Sequence, residues 1–258
     1  MITSTSNDTV KHITLLVKSA KARRKEGVFV VEGERIAREI PKGSLKECFV
    51  SEKFDAGHKT EEVFGYPVNA TVVSDKVFDK MCDTKNPQGI LCVCDQNAIS
   101  VKDLLESKKG KALKLLILEG IQDPGNLGTM VRTAEGAGFD AIIADDDTVD
   151  VYNPKVTRST MGSLFRVPVI YTDDLLAVAD TLRQSGVTLY AAHPDARISY
   201  KDEGYGNRLA FLIGNEGNGL SEEISGKADK LIGIPMKGKL ESLNAAVAAA
   251  LLMYNVDD

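Results

Sequence analysis

The sequence contains no tryptophan, only three histidines and only four cysteines among its 258 residues. None of the cysteines forms a Cys-x-x-Cys pair, and the histidines lie far apart in the chain. Metal sites of the zinc type need cysteine and histidine at short, regular spacing. The sequence therefore predicts no metal site. We interpret the cysteines as buried or half-buried thiols in a reducing compartment: Cys48, Cys82, Cys92 and Cys94.

Long apolar runs are also missing. The longest weakly polar run, Leu243 to Tyr254, is shorter than the roughly 20 apolar residues that cross a bilayer. The stretch from Met1 to Val10 is polar and has no basic start followed by an apolar segment, so it does not resemble a secretory signal. A hydrophobic content of 43% with 27% charged residues is typical of a folded globular protein. We therefore expect a cytoplasmic protein.

The charge is unevenly distributed along the chain. The net charge of −5 argues mildly against a nucleic-acid partner, but the distribution matters more than the sum. The first 110 residues carry a slight positive excess, and the remainder is acidic. One basic cluster is opposed only by Asp8: Lys11, Lys18, Lys21, Arg23, Arg24 and Lys25. Such a cluster can contact phosphates or form a solvated helix face, and charge alone favours neither interpretation.

The charged stretch 99–111 is the best candidate for a domain boundary, so we predict a domain over 1–98, a linker over 99–111 and a domain over 112–258. In the first part the patterns predict strands over 28–31, 47–51, 68–73 and 90–94, with helices over 8–22, 32–40 and 74–82. In the second part they predict strands over 113–118, 141–144, 187–192, 209–213 and 230–234. Helices are expected between these strands over 127–136, 173–185 and 221–226, and after them over 243–254. This alternation indicates an α/β domain with a mainly parallel sheet.

Three segments of the second part share one pattern, in which an apolar strand leads to a loop rich in glycine and amides and then to a helix. They cover residues 118–129, 211–221 and 234–244. Ligands of parallel sheets bind beyond the carboxyl ends of the strands, where glycine lets the backbone approach closely. No phosphate-binding fingerprint is present, and Glu216 in the second loop would repel a pyrophosphate. The pattern therefore predicts a shared ligand site, which fits a cationic or neutral adenosyl ligand better than a phosphate-rich nucleotide and does not by itself name the ligand.

These loops resemble the three motifs of the SpoU/TrmH family of RNA 2′-O-ribose methyltransferases, a branch of the SPOUT superfamily. Residues 123–132 (DPGNLGTMVR) resemble the first motif, residues 213–221 (IGNEGNGLS) the second and residues 234–244 (IPMKGKLESLN) the third. The motifs occur in family order, and the resemblance covers residues 113–256. One departure is Ala245-Ala246 after Asn244, where Val-Ser is common, so a hydroxyl near the cofactor is missing.

The resemblance implies a trefoil-knotted α/β fold, a homodimer, and S-adenosylmethionine bound by the loops. It implies cofactor contacts for five residues: Gly214, Ile234, Leu243, Met236 and Ile213. It implies a catalytic centre of five others: Arg132, Asn126, Glu216, Ser242 and Asn244. The resemblance makes Arg132 the key residue, which is sometimes described as the base in this family. Because a guanidinium keeps its proton at ordinary pH, we favour Arg132 as a phosphate clamp that stabilises the developing alkoxide, and a basic role would need a specially tuned complex. Ser242 would orient the ribose hydroxyl.

The N-terminal part resembles the ribosomal-protein-like RNA-binding domain of the family's ribosomal-RNA branch, through residues 23–33 (RRKEGVFVVEG) and 86–91 (NPQGIL). This resemblance implies RNA contacts for Arg23, Arg24 and Lys25 and favours ribosomal RNA as the substrate. The alternative substrate is transfer RNA.

Two other classes of protein stay open. The chain can be a non-catalytic RNA-binding module whose loops are only turns, or a Rossmann-type nucleotide-binding enzyme, although the dinucleotide fingerprint is missing. Taken singly, Asn126, Ser242 and Asn244 can simply cap helices, while Arg132 and Glu216 can be solvated surface charges. Their joint occurrence in motif order favours the methyltransferase. Asp145, Asp146 and Asp147 are interpreted as a solvated loop.

Overall fold

The computed structural model describes residues 1–215 and 217–256, which group into two compact units. The first unit comprises Met1–Ala98 together with Asp150–Phe165, and the second comprises Ile99–Val149 and the residues from Arg166 onward. The segment Asp150–Phe165 lies within the predicted C-terminal domain in sequence, yet it groups with the N-terminal residues. The predicted linker 99–111 contains a helix that belongs to the second unit.

Twelve helices are present in the described part of the chain. In chain order they are α1 (Asp8–Lys18), α2 (Ala20–Glu26), α3 (Glu34–Ala37), α4 (Glu52–Gly57), α5 (Thr60–Phe64), α6 (Asp75–Met81), α7 (Val101–Ser107), α8 (Pro124–Gly136), α9 (Pro154–Thr160), α10 (Leu175–Gln184), α11 (Glu222–Ser225) and α12 (Ala245–Met253). A single 3-10 turn follows α9 at Ser163–Phe165.

The strands are β1 (Val28–Glu32), β2 (Leu45–Ser51), β3 (Ala70–Val73), β4 (Ile90–Asp95), β5 (Leu113–Leu118), β6 (Ala141–Asp145), β7 (Val169–Thr172), β8 (Thr188–Ala192), β9 (Ile198–Ser199), β10 (Arg208–Ile213) and β11 (Lys230–Gly233). Every strand predicted from the sequence is present, while β7 and β9 were not predicted. β9 has only two residues, and such a short segment carries no alternating pattern that a sequence can reveal.

The first unit is built on a four-stranded mixed sheet with the order β1-β4-β2-β3. β4 is antiparallel to both of its neighbours, and β2 is parallel to β3. The helices α1 and α6 bury apolar side chains on this sheet, in a core that includes Ile13, Leu16, Phe49, Phe78 and Leu91. Burial of these large side chains is the main stabilising term of the unit.

The segment Asp150–Phe165 packs on β1 within the first unit. The ring of Tyr152 lies 4.6 Å from the ring of Phe29, centroid to centroid. The Tyr152 hydroxyl accepts a hydrogen bond from the backbone N–H of Asn97 at 2.9 Å. Burial raises the pKa of Tyr152 to about 12, and this hydrogen bond opposes the rise. The segment is therefore an integral layer of the first unit.

The second unit contains a seven-stranded sheet with the order β7-β6-β5-β10-β8-β11-β9, and all six strand pairs are parallel. The prediction of an α/β fold with a mainly parallel sheet is confirmed. The central strands β5 and β10 are almost entirely buried, as expected of strands covered on both faces. Because the strands are parallel, the loops after β5, β10 and β11 emerge from one edge of the sheet.

Local capping explains where several helices begin, including short ones that the sequence analysis missed. Ser51 accepts from the N–H of Phe54 at the start of α4, and Ser100 and Asp103 form a reciprocal capping box at the start of α7. Asn153, followed by Pro154, caps α9. These helices have only six or seven residues, and their caps mark their starts more clearly than any apolar repeat does.

No helix within residues 1–215 and 217–256 combines the length and the apolar character that a membrane span needs. The trefoil knot that the family resemblance implies stays a prediction.

Candidate active site

The first loop leaves β5 through Glu119 and Gly120 and enters α8. Asp123 caps this helix by accepting a hydrogen bond from the N–H of Asn126 at 2.8 Å, and Pro124 occupies the first helical turn. The cap is thus Asp123, and the interpretation of Asn126 as the capping residue is wrong. Asn126 lies in the first turn of α8 and is half-buried, and Arg132 lies about two turns further along.

The second loop, after β10, closes on itself. The backbones of Asn215 and Gly219 exchange two hydrogen bonds of 3.1 and 2.9 Å. Inside the turn, Oδ1 of Asn215 accepts from the N–H of Gly217 at 2.8 Å. Gly214 lies so close to the returning chain that a Cβ atom placed on it would lie 2.1 Å from the carbonyl carbon of Gly219. Only glycine fits at this position, because the neighbouring atoms are backbone and cannot rotate away.

Hydrogen bonds fasten the second loop to the first. The Nδ2 of Asn215 donates to the carbonyl oxygen of Gly120 at 2.7 Å. Ser221 donates to the Glu119 carboxylate twice, from its backbone N–H at 2.7 Å and from its hydroxyl at 2.6 Å. The same hydroxyl accepts from the N–H of Ile224 and so caps α11. The two loops therefore form one connected structure at the edge of the sheet.

Asp145, at the end of β6, holds the first loop from the other side. Its carboxylate accepts from the N–H of Gly120 at 3.0 and 2.9 Å, and from the N–H and hydroxyl of Thr148 at 2.9 and 2.6 Å. Thr148 in turn accepts from the N–H of Ile121 at 3.1 Å. The interpretation of the aspartate run 145–147 as a solvated loop is therefore wrong for Asp145, which is half-buried, while Asp146 and Asp147 are exposed.

The third loop ends at Asn244, which joins it to the first. Oδ1 of Asn244 accepts from the N–H groups of Ala246 and Val247 at 2.9 and 3.2 Å, so Asn244 caps α12 as one alternative interpretation had it. Its Nδ2 donates to Oδ1 of Asn126 at 3.0 Å. The capping role and the site role therefore coexist in one residue. Two predicted catalytic residues, 118 positions apart in the chain, are in direct contact.

These contacts fix which way both amides point. A backbone N–H can only donate, so the Asn244 atom that faces Ala246 and Val247 must be the oxygen. Its nitrogen then faces Asn126, where the oxygen of Asn126 must accept. The Nδ2 of Asn126 therefore faces away from Asn244, and an amide nitrogen can only donate.

The remaining predicted catalytic residues have different positions. Arg132 is exposed on α8, and within residues 1–215 and 217–256 its guanidinium has no hydrogen-bond or ion-pair partner. Ser242 is exposed in the third loop, two residues before Asn244. Glu216 lies outside the described residues. The structure thus brings Asn126 and Asn244 into direct contact and leaves the Arg132 guanidinium available to a phosphate.

The residues predicted to contact the cofactor line the second and third loops. Ile234, Met236 and Leu243 are half-buried apolar side chains, a combination that suits the flat face of an adenine ring. Gly214 adds a surface without a side chain, which permits close approach of a ligand. Ile213 is 3% exposed at the end of β10, so only its backbone can face a ligand. This lining fits an adenosyl group better than a phosphate chain, and the individual contacts stay predictions.

Arg23 differs from the sequence-based expectation. It is 2% exposed and forms an ion pair with Asp150 within the first unit, at 2.6 Å. Its Nη1 donates to the carbonyl oxygens of Leu16 and Val17 at 2.8 and 3.1 Å. A direct contact of Arg23 with RNA is therefore excluded in this structure, because the side chain is buried and each of its three nitrogens bonds the end of α1 or Asp150. Arg24 and Lys25 are exposed, and their RNA contact stays a prediction.

Sequence reasoning missed four residues that build the site: Glu119, Asp145, Asn215 and Ser221. Each stands at the end of a strand or in a loop that the sequence analysis identified. Their position in the sequence was therefore the one signal that could have identified them. Their roles depend on pairings across 25 to 102 positions of chain, which a single sequence does not specify.

The chain matches the model of the SpoU rRNA Methylase family over residues 114–254 and that of the MRM3-like substrate binding domain over residues 7–92. The first match covers more than half of the chain. The chain belongs to the SpoU rRNA methylase family. The prediction of a SpoU-type methyltransferase with an N-terminal substrate-binding region is confirmed.

Among particular relatives, the chain is similar to the 23S rRNA (guanosine(2553)-2′-O)-methyltransferase RlmP of Bacillus subtilis. The two are 35% identical over 99% of this chain and 98% of that protein. It is also 30% identical to an uncharacterized tRNA/rRNA methyltransferase of Synechocystis, over 98% of this chain and 92% of that protein.

Two solved structures have the same fold over nearly the whole chain. The crystal structure of an RNA 2′-O ribose methyltransferase is 30% identical, with a TM-score of 0.80 over 98% of this chain and 96% of that one. The AdoMet-bound rRNA methyltransferase from Sinorhizobium meliloti is 27% identical, with a TM-score of 0.84 over 98% of this chain and 95% of that one.

Proposed function

We propose that this chain is an S-adenosylmethionine-dependent methyltransferase that methylates a ribose 2′-hydroxyl in ribosomal RNA. The observation that carries the proposal is the junction of the motif loops, where Asn244 of the third loop bonds Asn126 of the first and Asn215 of the second bonds Gly120 of the first. Capping of separate helices requires neither of these bonds. Similarity to RlmP over the full length favours ribosomal RNA over transfer RNA.

The residues of the chain suggest a division of labour. When bound, S-adenosylmethionine supplies a methyl group that its positive sulfonium makes electrophilic. The Gly214 backbone and the apolar side chains of Ile234, Met236 and Leu243 would hold the adenosyl part. The side-chain hydrogen bond between Asn244 and Asn126 would hold the third and first loops in the arrangement that orients the bound RNA. Orientation of this kind is a large part of the rate enhancement available to a weak nucleophile.

Arg132 is the residue best placed to handle charge. A guanidinium keeps its proton, so it offers a fork of donors to a phosphate and a positive field to a developing alkoxide. Loss of the hydroxyl proton to solvent would leave that alkoxide, and Ser242 would orient the hydroxyl before the proton leaves. The new bond forms from the 2′ oxygen to the methyl carbon, and the electron pair of the broken bond stays on sulfur.

The N-terminal unit would bind the RNA. Its first two helices carry exposed basic side chains on the surface: Lys11, Lys18, Lys21, Arg24 and Lys25. Phosphate contacts of such side chains supply most of the sequence-independent affinity for RNA. The match to a substrate-binding domain over residues 7–92 supports this assignment.

A homodimer in the cytoplasm is part of the proposal. Helix α12 exposes an apolar stripe made of Val247, Leu251 and Tyr254, which are 47%, 37% and 66% exposed. A cavity of about 470 Å³ lies along the same helix. An exposed stripe of this kind favours association, so we expect Val247→Glu to yield monomers in light scattering. Leu176→Glu, at an exposed apolar position on α10, is the matched control and should leave the mass unchanged.

The experiment that tests the enzymatic proposal is methyl incorporation from labelled S-adenosylmethionine into separate pools of ribosomal and transfer RNA, with Arg132→Ala as the control. With the wild-type protein we expect label in ribosomal RNA that resists alkali, as a 2′-O-methyl linkage does. With Arg132→Ala we expect no label. Label in transfer RNA alone would support the methyltransferase activity but would show that ribosomal RNA is not the substrate. Absence of both label and cofactor binding would favour the non-catalytic RNA-binding module.

A further inference from the structure

We propose that Glu119 is a positioning residue for the cofactor, acting through Ser221 on the turn that the hydrogen bonds between Asn215 and Gly219 close. The inference rests on the proposed function, because it assumes that this loop binds S-adenosylmethionine. Glu119 belongs to none of the positions that the family resemblance assigned to catalysis or to cofactor contact.

The geometry singles out Glu119 as the residue that fixes where the second loop ends. Its backbone N–H donates to the carbonyl oxygen of Ile213 at 3.0 Å, which extends the pairing of β5 with β10 by one residue. Its carboxylate therefore starts from a well-defined position. From there it accepts both hydrogen bonds of Ser221, at 2.7 and 2.6 Å. Bonds to an ionised carboxylate are short and about twice as strong as neutral ones.

The loop between these anchors behaves as one piece. Gly214 and Gly219 are in van der Waals contact, and the pair of bonds between Asn215 and Gly219 closes the turn. A closed turn moves as a unit, so its position depends on how its two ends are held. One end continues from β10, and the other end is Ser221. Loosening the bond to Glu119 would let the turn swing about Gly214.

A simpler role for Glu119 is support of the short helix α11, whose cap is Ser221. The two roles differ in what they predict. Support of α11 alone would lower thermal stability and leave cofactor affinity unchanged, since α11 carries none of the predicted cofactor contacts. Positioning of the loop would weaken cofactor binding in folded protein.

The test is calorimetric binding of S-adenosylhomocysteine, the reaction product, to the full chain and its variants. We expect Glu119→Ala to raise the Kd about tenfold, equivalent to about 1.4 kcal/mol, because both bonds to Ser221 are lost. Glu119→Gln should raise it by no more than about threefold, since a glutamine amide can accept from the N–H of Ser221 and donate to its hydroxyl. In steady-state assays the KM for S-adenosylmethionine should rise more than kcat falls.

A matched control and a double variant separate the two roles. Asp174→Ala removes the cap of α10 in the same unit, where Oδ1 of Asp174 accepts from the N–H of Ala177 at 2.8 Å. We expect it to lower Tm without changing the Kd. The combination of Glu119→Ala with Ser221→Ala should bind no more weakly than Glu119→Ala alone, because the second change removes a bond that the first has already broken.

The outcomes are distinguishable. A folded Glu119→Ala protein with the wild-type Kd would overturn this inference and leave the proposed function standing. If Glu119→Ala does not fold, Ser221→Ala decides in its place: it loses the hydroxyl bond to Glu119 but keeps the backbone bond, so we expect a smaller rise in Kd, and a wild-type Kd would overturn the inference. A wild-type protein that does not bind S-adenosylhomocysteine would overturn both.

Discussion

Asn244 donates a hydrogen bond from its Nδ2 to Oδ1 of Asn126, and its own oxygen accepts from the start of α12. One side chain thus ends the third loop, starts the last helix and sets the orientation of a residue on another helix. The direction of donation along these bonds, which we call their polarity, is set by the backbone N–H groups at the start of α12, because an N–H group can only donate. Its consequence at the far end is that the oxygen of Asn126 faces Asn244 and the nitrogen of Asn126 faces away from it.

Replacing Asn244 by Asp tests this polarity. An aspartate caps a helix as well as asparagine does, but it has only acceptors to face Oδ1 of Asn126. We expect the facing oxygens to repel, so that the hydrogen bond joining the third loop to the first is lost. The single-turnover rate of methyl transfer should fall about 100-fold, a loss that a misplacement of about 1 Å can cause, while Tm stays unchanged. Asn153→Asp, at the cap of α9, should alter neither, and wild-type turnover by Asn244→Asp would refute the polarity.

Gly214→Ala tests the closure of the second loop. The added Cβ would lie 2.1 Å from the carbonyl carbon of Gly219, so the backbone of the turn must open. We expect the Kd for S-adenosylhomocysteine to rise at least about tenfold, or 1.4 kcal/mol, with the fold retained by circular dichroism. Gly204→Ala is the matched control, because a Cβ at that position meets no atom within 4 Å. Equal affinities of the two variants would show that the closed turn is not needed for binding.

Arg23 and Asp150 form an ion pair whose side chains are only 3% and 11% exposed. Arg23→Ala leaves the Asp150 carboxylate without its partner, which typically costs about 3–5 kcal/mol. We expect amide hydrogen exchange of α1 and α9 to accelerate in this variant, with the helices of the second unit unchanged. Arg23→Lys should not restore protection, because an ammonium cannot supply the planar fork. Arg24→Ala, at the neighbouring exposed position, should leave exchange at the wild-type level.

Arg24 and Lys25 should contribute to RNA affinity through phosphates. We expect the double variant Arg24→Ala, Lys25→Ala to bind ribosomal RNA fragments more weakly regardless of sequence, and the slope of log K against log salt to fall by up to about 2. Filter binding between 50 and 200 mM salt, a range in which such contacts are measurable, checks this. The matched variant Lys102→Ala, Lys109→Ala removes two exposed lysines of the second unit. Identical slopes for the two double variants would contradict the assignment of Arg24 and Lys25 as phosphate contacts.

Tyr152 predicts an alkaline limit to the stability of the first unit. Burial raises its pKa from 10.0 to about 12, so the folded state holds the phenolic proton more tightly than the unfolded state does. Its contribution is fully present below pH 10 and is lost as the pH rises towards 12. We expect Tyr152→Phe to flatten the decline in unfolding free energy over this range, measured by urea denaturation. An unchanged pH dependence in the variant would assign the decline to other groups.

The sequence could predict the features that depend on neighbours in the chain. Continuous apolar runs such as Leu113–Leu118 marked the buried strands, and glycine with amides marked the loops at their ends. The helix α9 escaped, since its seven residues are determined by the cap Asn153 and by burial against β1 rather than by a repeating pattern. The strand β7 also escaped, because its two buried residues are followed by two half-buried ones and so form neither a long apolar run nor an alternation.

The site could be predicted by type of residue but not by connection. Asn126 and Asn244 were identified as site residues, yet their bond spans 118 positions. Arg23 shows the opposite case. It lies in a basic cluster in the sequence, and its neighbours on both sides along α2 are solvent-facing or half-buried. Only the position of Asp150, 127 residues away, explains why this one arginine turns inward.

The membership of Asp150–Phe165 in the first unit has a consequence for biosynthesis. A ribosome that has made the four strands of the first sheet has not yet made the layer that covers Phe29 and neutralises Arg23. The amino-terminal unit therefore cannot complete its fold until more than 60 further residues, including β5 and β6, have been translated. A fragment cut at Ala98 would carry a bare apolar face and an unpaired buried charge. The native amino-terminal unit is thus a product of nearly two thirds of the chain.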